Sequence, residues 1–300
     1  MNAIKTLLFL CFFLLQGTLL AQKLTKSKFE EIKRRISFQG TEIQTEILTF
    51  QSYTFKKNGV ITEAILVKPR QVSGKMPSII LLPDFGKTAI DYLPRATKWA
   101  KKGFVCVSVS LVGSGRSNGK PDFMGTKTIN PLKTLVAKLK KEPFVDEAKI
   151  GIYGYSQGAM AASLLIADNV KIKAAVLIAG IYDFKEMYLQ TEDENLQTLM
   201  LNQAGLLKGS QKKGTVHKEF MTSVIKQRSS LLNMKKVDCF LLLLHGKNDK
   251  IVPVTQTQNL KTLLDKNKKL YESHIFEDKG HSLGKEHQTI VLDFFKRKLK

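Results

Sequence analysis

Residues 150 to 162 read Ile150-Gly151-Ile152-Tyr153-Gly154-Tyr155-Ser156-Gln157-Gly158-Ala159-Met160-Ala161-Ala162, an apolar run that passes through one serine flanked by glycines into an alanine-rich stretch. A Gly-x-Ser-x-Gly pattern alone carries little weight, but a strand-like run before it and a helix-like run after it define a sharp strand-to-helix turn. Gly154 and Gly158 stand where side chains would collide as the chain folds back past itself. Such a turn lifts the Ser156 hydroxyl clear of a sheet. The free backbone NH groups at the following helix start can face negative charge developing on a bound carbonyl oxygen. The plainer reading is a Gly-Ser turn, and two motifs further along argue against it.

Working outward, short apolar runs alternate with helix-like stretches. Residues 78 to 82 read as a strand, followed by the loop Pro83-Asp84-Phe85-Gly86 and a helix over about 91 to 102 that Gly103 ends. Residues 104 to 111 form the next strand, with turn glycines Gly113 and Gly115 after it, and Ser117 is more often a turn residue than part of a cleft. A helix is expected over 131 to 140, strands over 174 to 179, 239 to 244 and 270 to 276, and helices near 255 to 265 and at the end of the chain. Alternating strand and helix units with near-continuous apolar strands imply an α/β fold, a mostly parallel sheet covered by helices on both faces. Residues 42 to 67 alternate instead, with Lys57-Asn58-Gly59 as a hairpin turn, so the sheet opens antiparallel. Residues 24 to 36 suit a short amphipathic helix covering one edge. Residues 181 to 236 break the rhythm and read as a helical cap insertion with a polar tip at 208 to 214.

Composition bounds the rest. The 300 residues carry a formal charge of +22. The basic residues are scattered as pairs such as Lys101-Lys102 and Lys212-Lys213, without interleaved aromatics, so no nucleic-acid partner is expected. The positive field suits electrostatic association with an anionic envelope surface or acidic substrates. Lys5, the apolar run 7 to 15 and the small residues up to Ala21 read as a cleavable signal peptide, which places the mature domain, 22 to 300, in a secreted or periplasmic setting. Of three cysteines, Cys106 and Cys239 lie in that mature domain, each within a strand-like run, which fits buried free thiols better than a disulfide framework. No metal and no cofactor is expected, because no HExxH, CxxC or His-carboxylate cluster at ligand spacing occurs.

A serine hydroxyl needs a neighbouring base, most often a histidine oriented by a carboxylate. His245-Gly246-Lys247-Asn248-Asp249 follows one predicted strand and Asp278-Lys279-Gly280-His281 the next, so Asp249 and His281 fall in loops at strand carboxyl ends, where sites in open α/β sheets gather. Asp238 and Asp278 are the substitutes for Asp249. His245 reads as structural, and His217, His274 and His287 as surface or packing residues.

Over roughly residues 42 to 300 the chain resembles the α/β-hydrolase superfamily, and Gly154 to Gly158, His245 to Asp249 and Gly280-His281 resemble its prolyl-oligopeptidase-like and dienelactone-hydrolase-like members. The resemblance implies a triad in the order Ser156, Asp249, His281, with the backbone NH groups of Phe85 and Gln157 as oxyanion donors. One departure is Pro83-Asp84, where the family's oxyanion loop commonly begins His-Gly; Asp84 must then point away or pair with a base such as Lys87. Dienelactone hydrolases carry cysteine at the elbow, where this chain has Ser156. With no propeller-sized segment before the domain, a gated endopeptidase is not expected. The function implied is a serine hydrolase acting on a small ester or peptide-like substrate through an acyl-enzyme. The alternatives are an exopeptidase or amidase of the same fold, or an inactive hydrolase-fold protein that binds an anionic envelope polymer. Tyr182, Met187 and Tyr188 are candidates for the substrate wall and equally for the insertion's own core.

Overall fold

Nearly continuous apolar runs build the middle of the molecule. The computed structural model describes residues 25–36, 40–57, 59–206 and 215–300, so residues 1 to 21, expected to be a signal peptide, and 208 to 214, expected to be a polar tip, lie outside the described residues. The strands are β1 (Glu42–Gln44), β2 (Leu48–Ser52), β3 (Phe55–Lys57), β4 (Val60–Thr62), β5 (Ala64–Pro69), β6 (Met76–Leu82), β7 (Val105–Val109), β8 (Val145–Tyr155), β9 (Ala174–Ile178), β10 (Phe240–Gly246) and β11 (Tyr271–Phe276). Nine of them form one sheet in the order β1-β2-β5-β7-β6-β8-β9-β10-β11. β1, β2 and β5 join antiparallel, and every neighbour pair from β7 onward is parallel. The hairpin expected at Lys57 to Gly59 pairs Lys57 with Val60, but β3 and β4 stand apart as a separate ribbon rather than opening the main sheet.

The helices are α1 (Lys26–Ile36), α2 (Ala89–Ala100), α3 (Thr126–Leu139), α4 (Gln157–Ala167), α5 (Phe184–Gln190), α6 (Glu194–Gln203), α7 (Thr215–Arg228), α8 (Thr255–Lys266) and α9 (His287–Leu299), with a 3₁₀ turn at Leu231–Lys236. Because side chains alternate across a strand, each strand feeds two cores. Ile80 and Leu82 of β6, Val105, Val107 and Val109 of β7, and Leu241 and Leu243 of β10 pack under α3, α4 and α8. Ile79, Leu81, Cys106, Leu242 and Leu244 pack on the opposite face under α1, α2 and α9. This is the α/β-hydrolase arrangement, with both faces of the parallel sheet covered.

Two helices begin earlier than the expected starts at 131 and about 91. α3 starts at Thr126 and keeps Pro131 inside, and α2 starts at Ala89 with Pro94 inside. Local hydrogen bonds set each start: the Asp122 carboxylate accepts from the Lys127 NH and the Thr128 hydroxyl at 2.7 and 2.6 Å, and Thr88 forms a capping box with Asp91. Cys106 and Cys239 are free, and burial pushes the Cys239 thiol up to about 12, with Asp238 beside it adding to the shift. Among the described residues no helix is long and apolar enough to cross a membrane.

The insertion is tied into the body of the domain. Asp183 and Asp193 cap α5 and α6 through backbone NH groups. Gln256 of α8 accepts from the NH groups of Tyr182 and Asp183, and Arg228 donates to the Asp122 carbonyl at 2.8 Å. Phe184 meets Phe123 edge to face with ring centroids 5.6 Å apart. Tyr182 and Met187 are fully buried in the core under α4 and α8, and Tyr188 is half-buried against it. For Tyr182 and Met187 the substrate-wall reading is therefore corrected. A side chain with no accessible surface cannot touch a substrate, and the apolar positions of a helix that returns to the sheet are drawn inward first.

Candidate active site

Ser156 sits where β8 turns into α4, at φ 51° and ψ −115°, a conformation that costs a non-glycine residue about 1–3 kcal/mol. The surroundings hold it there. The Ser156 NH donates to the Ile178 carbonyl at 2.8 Å, and its carbonyl accepts from Ala159 and Met160, each at 3.0 Å. A Cβ at Gly154 would lie 2.6 Å from the Ala159 backbone nitrogen, and one at Gly158 would overlap the Leu82 carbonyl oxygen and lie 2.7 Å from that of Pro83. The turn is thus closed by backbone against backbone. The same approach brings the loop that begins at Pro83 alongside the elbow.

Two further loops converge on the serine from adjacent strands. A Cβ at Gly246, the last residue of β10, would overlap the Gly280 carbonyl oxygen, and Asn248 donates its NH to Lys279 at 2.9 Å. The loops that carry Asp249 and His281 can therefore lie one against the other. His281 Nε2 lies 3.0 Å from Ser156 Oγ, and its Nδ1 lies 2.8 Å from Asp249 Oδ2. With an acceptor-only carboxylate at Nδ1, the ring proton sits there, and Nε2 is free to accept from the serine hydroxyl.

Asp249 is buried and satisfied on every side. Oδ1 accepts from the NH groups of Ile251 and Val252, both at 2.9 Å. Oδ2 takes His281 and also His245 Nε2, at 3.1 Å. His245 Nε2 faces a second acceptor, the Val252 carbonyl at 2.9 Å, which fixes its proton on Nε2, while Nδ1 lies 2.7 Å from the Thr257 hydroxyl. Burial works to raise the Asp249 carboxyl, but the hydrogen bonds from His245 and His281 outweigh it and hold the group well below the ordinary carboxylate range. Neither substitute is in reach. Asp278 is exposed and paired with Lys279 at 2.9 Å, and Asp238 precedes β10, at the amino end of the sheet.

Asp84 accepts the Tyr92 hydroxyl at 2.9 Å, so its partner is a tyrosine rather than Lys87. Among the described residues neither the Phe85 NH nor the Gln157 NH donates to a backbone carbonyl. Ser117, weighed as a cleft residue, is buried and ties the Ser110 carbonyl to the Glu63 NH. One partner escaped the sequence reading. The Tyr155 hydroxyl donates to the His281 carbonyl at 2.5 Å and accepts from the Leu283 NH at 3.1 Å, clamping the histidine loop to the residue before the serine. Its place beside Ser156 in sequence was visible, but its partners lie more than a hundred residues away.

The model of the prolyl oligopeptidase family matches residues 92–300, the stretch that contains the elbow and both partner loops. The chain belongs to the prolyl oligopeptidase family. This places it among proteins of the α/β-hydrolase fold. An uncharacterized peptidase of Bacillus subtilis is 21% identical over 239 residues, 76% of this chain and 35% of that relative. A polyketide transferase of a Penicillium species is 27% identical over 114 residues, 37% of this chain and 39% of that protein. The chain thus spans little more than a third of the length of these relatives. Among solved structures, acetyl xylan esterase 1 from Thermoanaerobacterium superposes with a TM-score of 0.72 at 15% identity, over 91% of this chain and 94% of that one. The acylaminoacyl peptidase of Pyrococcus horikoshii gives 0.67 at 21% identity, over 85% of this chain and 42% of that one. At these identities the likeness establishes the fold.

Proposed function

We propose that the protein hydrolyses carboxylic esters through Ser156, His281 and Asp249. The observation that carries this reading is the hydrogen-bonded line from Ser156 Oγ through His281 to Asp249. In the reaction His281 Nε2 takes the hydroxyl proton as Oγ attacks the carbonyl carbon. The backbone NH groups of Phe85 and Gln157 stabilise the developing oxyanion, and His281 returns the proton to the leaving oxygen. Water then attacks the acyl-serine with His281 again as the base. Asp249 holds the imidazole in the required tautomer and stabilises its charged form.

The same apparatus can cleave an amide, and the match to a peptidase family favours that second reading. Rates on a p-nitrophenyl acyl ester and on the matching p-nitroanilide separate the two. Ester turnover faster by orders of magnitude supports the esterase, and comparable kcat/KM values support the peptidase. A polymer-binding protein without catalysis would turn over neither. Lys5 and the apolar run 7 to 15 support export to the periplasm or medium, and the charge of +22 supports association with anionic envelope surfaces. A mature amino terminus at Gln22 in exported protein tests the first, and salt-sensitive retention on envelope polymer the second.

A further inference from the structure

A cleft of about 680 Å³ opens beside His281, between α2, the loop before it and the segment from His281 to Gln288. Three cations, Lys87, Arg95 and Lys98, line it together with two carboxylates, Asp84 and Asp91. Both carboxylates are already engaged: Asp84 accepts from Tyr92, and Asp91 accepts the NH and hydroxyl of Thr88 at 2.9 and 2.8 Å. Arg95 pairs with neither. Its guanidinium lies over the rings of Tyr92 and Tyr153, 5.2 and 4.7 Å from their centroids, and Nη1 donates to the Tyr153 hydroxyl at 2.6 Å. Among the described residues Arg95, Lys87 and Lys98 make no ion pair. A second observation comes from the other wall. His287 is 3% exposed, and its ring lies against the backbone of Leu283 and Gly284.

We propose that this cleft binds a carboxylate carried by the leaving group of the substrate, with Arg95 as its anchor and Lys87 and Lys98 as outer cations. The proposal rests on the serine-hydrolase reading and names the substrate class of that site. The side of the site follows from His281, which lines the cleft and protonates the leaving oxygen, so the departing group lies on its side of Ser156. The anion follows from charge and shape. Three cations against two engaged carboxylates leave one positive charge, which matches a single carboxylate, and a guanidinium fixed by stacking presents its remaining NH groups in a planar fork to two carboxylate oxygens. Trp99 and Tyr155 supply aromatic surface for the body of the group.

The test compares 4-acetoxybenzoate with 4-acetoxybenzamide, which differ in charge on the leaving group, alongside fluorophosphonate labelling of Ser156. The wild-type protein is expected to prefer the carboxylate by about tenfold or more in kcat/KM, expressed in KM, with the preference falling as salt rises. Arg95→Gln should bring the ratio near one, and Arg95→Lys should retain part of it. A purely structural role for Arg95 would slow both esters together and leave the ratio unchanged. Lys87→Gln and Lys98→Gln, at the mouth, should each lower the ratio and serve if Arg95→Gln does not fold. A ratio near one in the wild type, or a ratio untouched by these variants, overturns the proposal while labelling at Ser156 shows that the hydrolase reading stands. No turnover of either ester and no labelling would overturn both.

Discussion

The loops after β8, β10 and β11 and the insertion between β9 and β10 use side chains in opposite ways. The loops are short, and each is fixed by hydrogen bonds that involve backbone: the Ser156 NH to the Ile178 carbonyl, the Asp249 carboxylate from the NH groups of Ile251 and Val252, and the His281 carbonyl from the Tyr155 hydroxyl. The insertion is long and commits Tyr182, Phe184, Met187 and Met200 to the core. The difference teaches where the chemistry is held. Precision comes from glycine-permitted close approach of backbone at three strand ends, and the insertion contributes packing, while the cleft beside His281 is lined by α2, the loop before it and the His281 segment.

Substitutions in the two regions should therefore fail differently. Ser156→Ala should lower kcat on an activated ester by roughly 10⁴ to 10⁶-fold with little change in stability, measured by steady-state kinetics and urea unfolding. Asp249→Asn should lower kcat by about 10³ to 10⁴-fold, since an amide at that position presents the wrong donor to His281, while Asp278→Asn should be silent. Met187→Ala, in contrast, should cost about 2–5 kcal/mol of stability and leave the ratio of kcat/KM for short and long acyl esters unaltered. A shift in that ratio would show that the insertion reaches the substrate after all and would break the comparison.

A smaller effect sharpens the cleft side. Burial, with Arg95 nearby, lowers His287 from 6.5 to about 4. The unfolded chain then takes up a proton that the folded protein refuses, so stability falls as pH drops from about 6.5 towards 4 and levels off below that. Between pH 7 and pH 5 this contributes about 2 kcal/mol of loss, which His287→Phe should abolish in urea unfolding at the two pH values. Asp249 acts in the same sense at lower pH. Its folded carboxyl titrates below the unfolded value of 3.8, so its contribution is full above about 4 and is lost as pH falls further.

Much of this was legible in the sequence because the signals are local. Strand alternation and apolar runs located the parallel sheet, and the spacing Gly154-Tyr155-Ser156-Gln157-Gly158 located the elbow. His281 and Asp249 could be placed because each follows a strand directly. What was hidden is non-local. Nothing in the run of residues near Tyr182 and Met187 distinguishes an inward from a substrate-facing apolar side chain. The pinning of Arg95 between Tyr92 and Tyr153 depends on a strand more than fifty residues away. Pro131 misplaced a helix start because the Asp122 cap outweighs one missing NH.

The central claim is that Ser156 is a nucleophile activated by His281. Labelling with a fluorophosphonate, followed by peptide mapping, addresses it directly, because the reagent reacts with an activated serine and reports the atom attacked. One adduct per chain is expected, on the peptide that contains Ser156, lost in Ser156→Ala and slowed by orders of magnitude in His281→Ala. Labelling elsewhere, or labelling at Ser156 that proceeds at the same rate without His281, would contradict it.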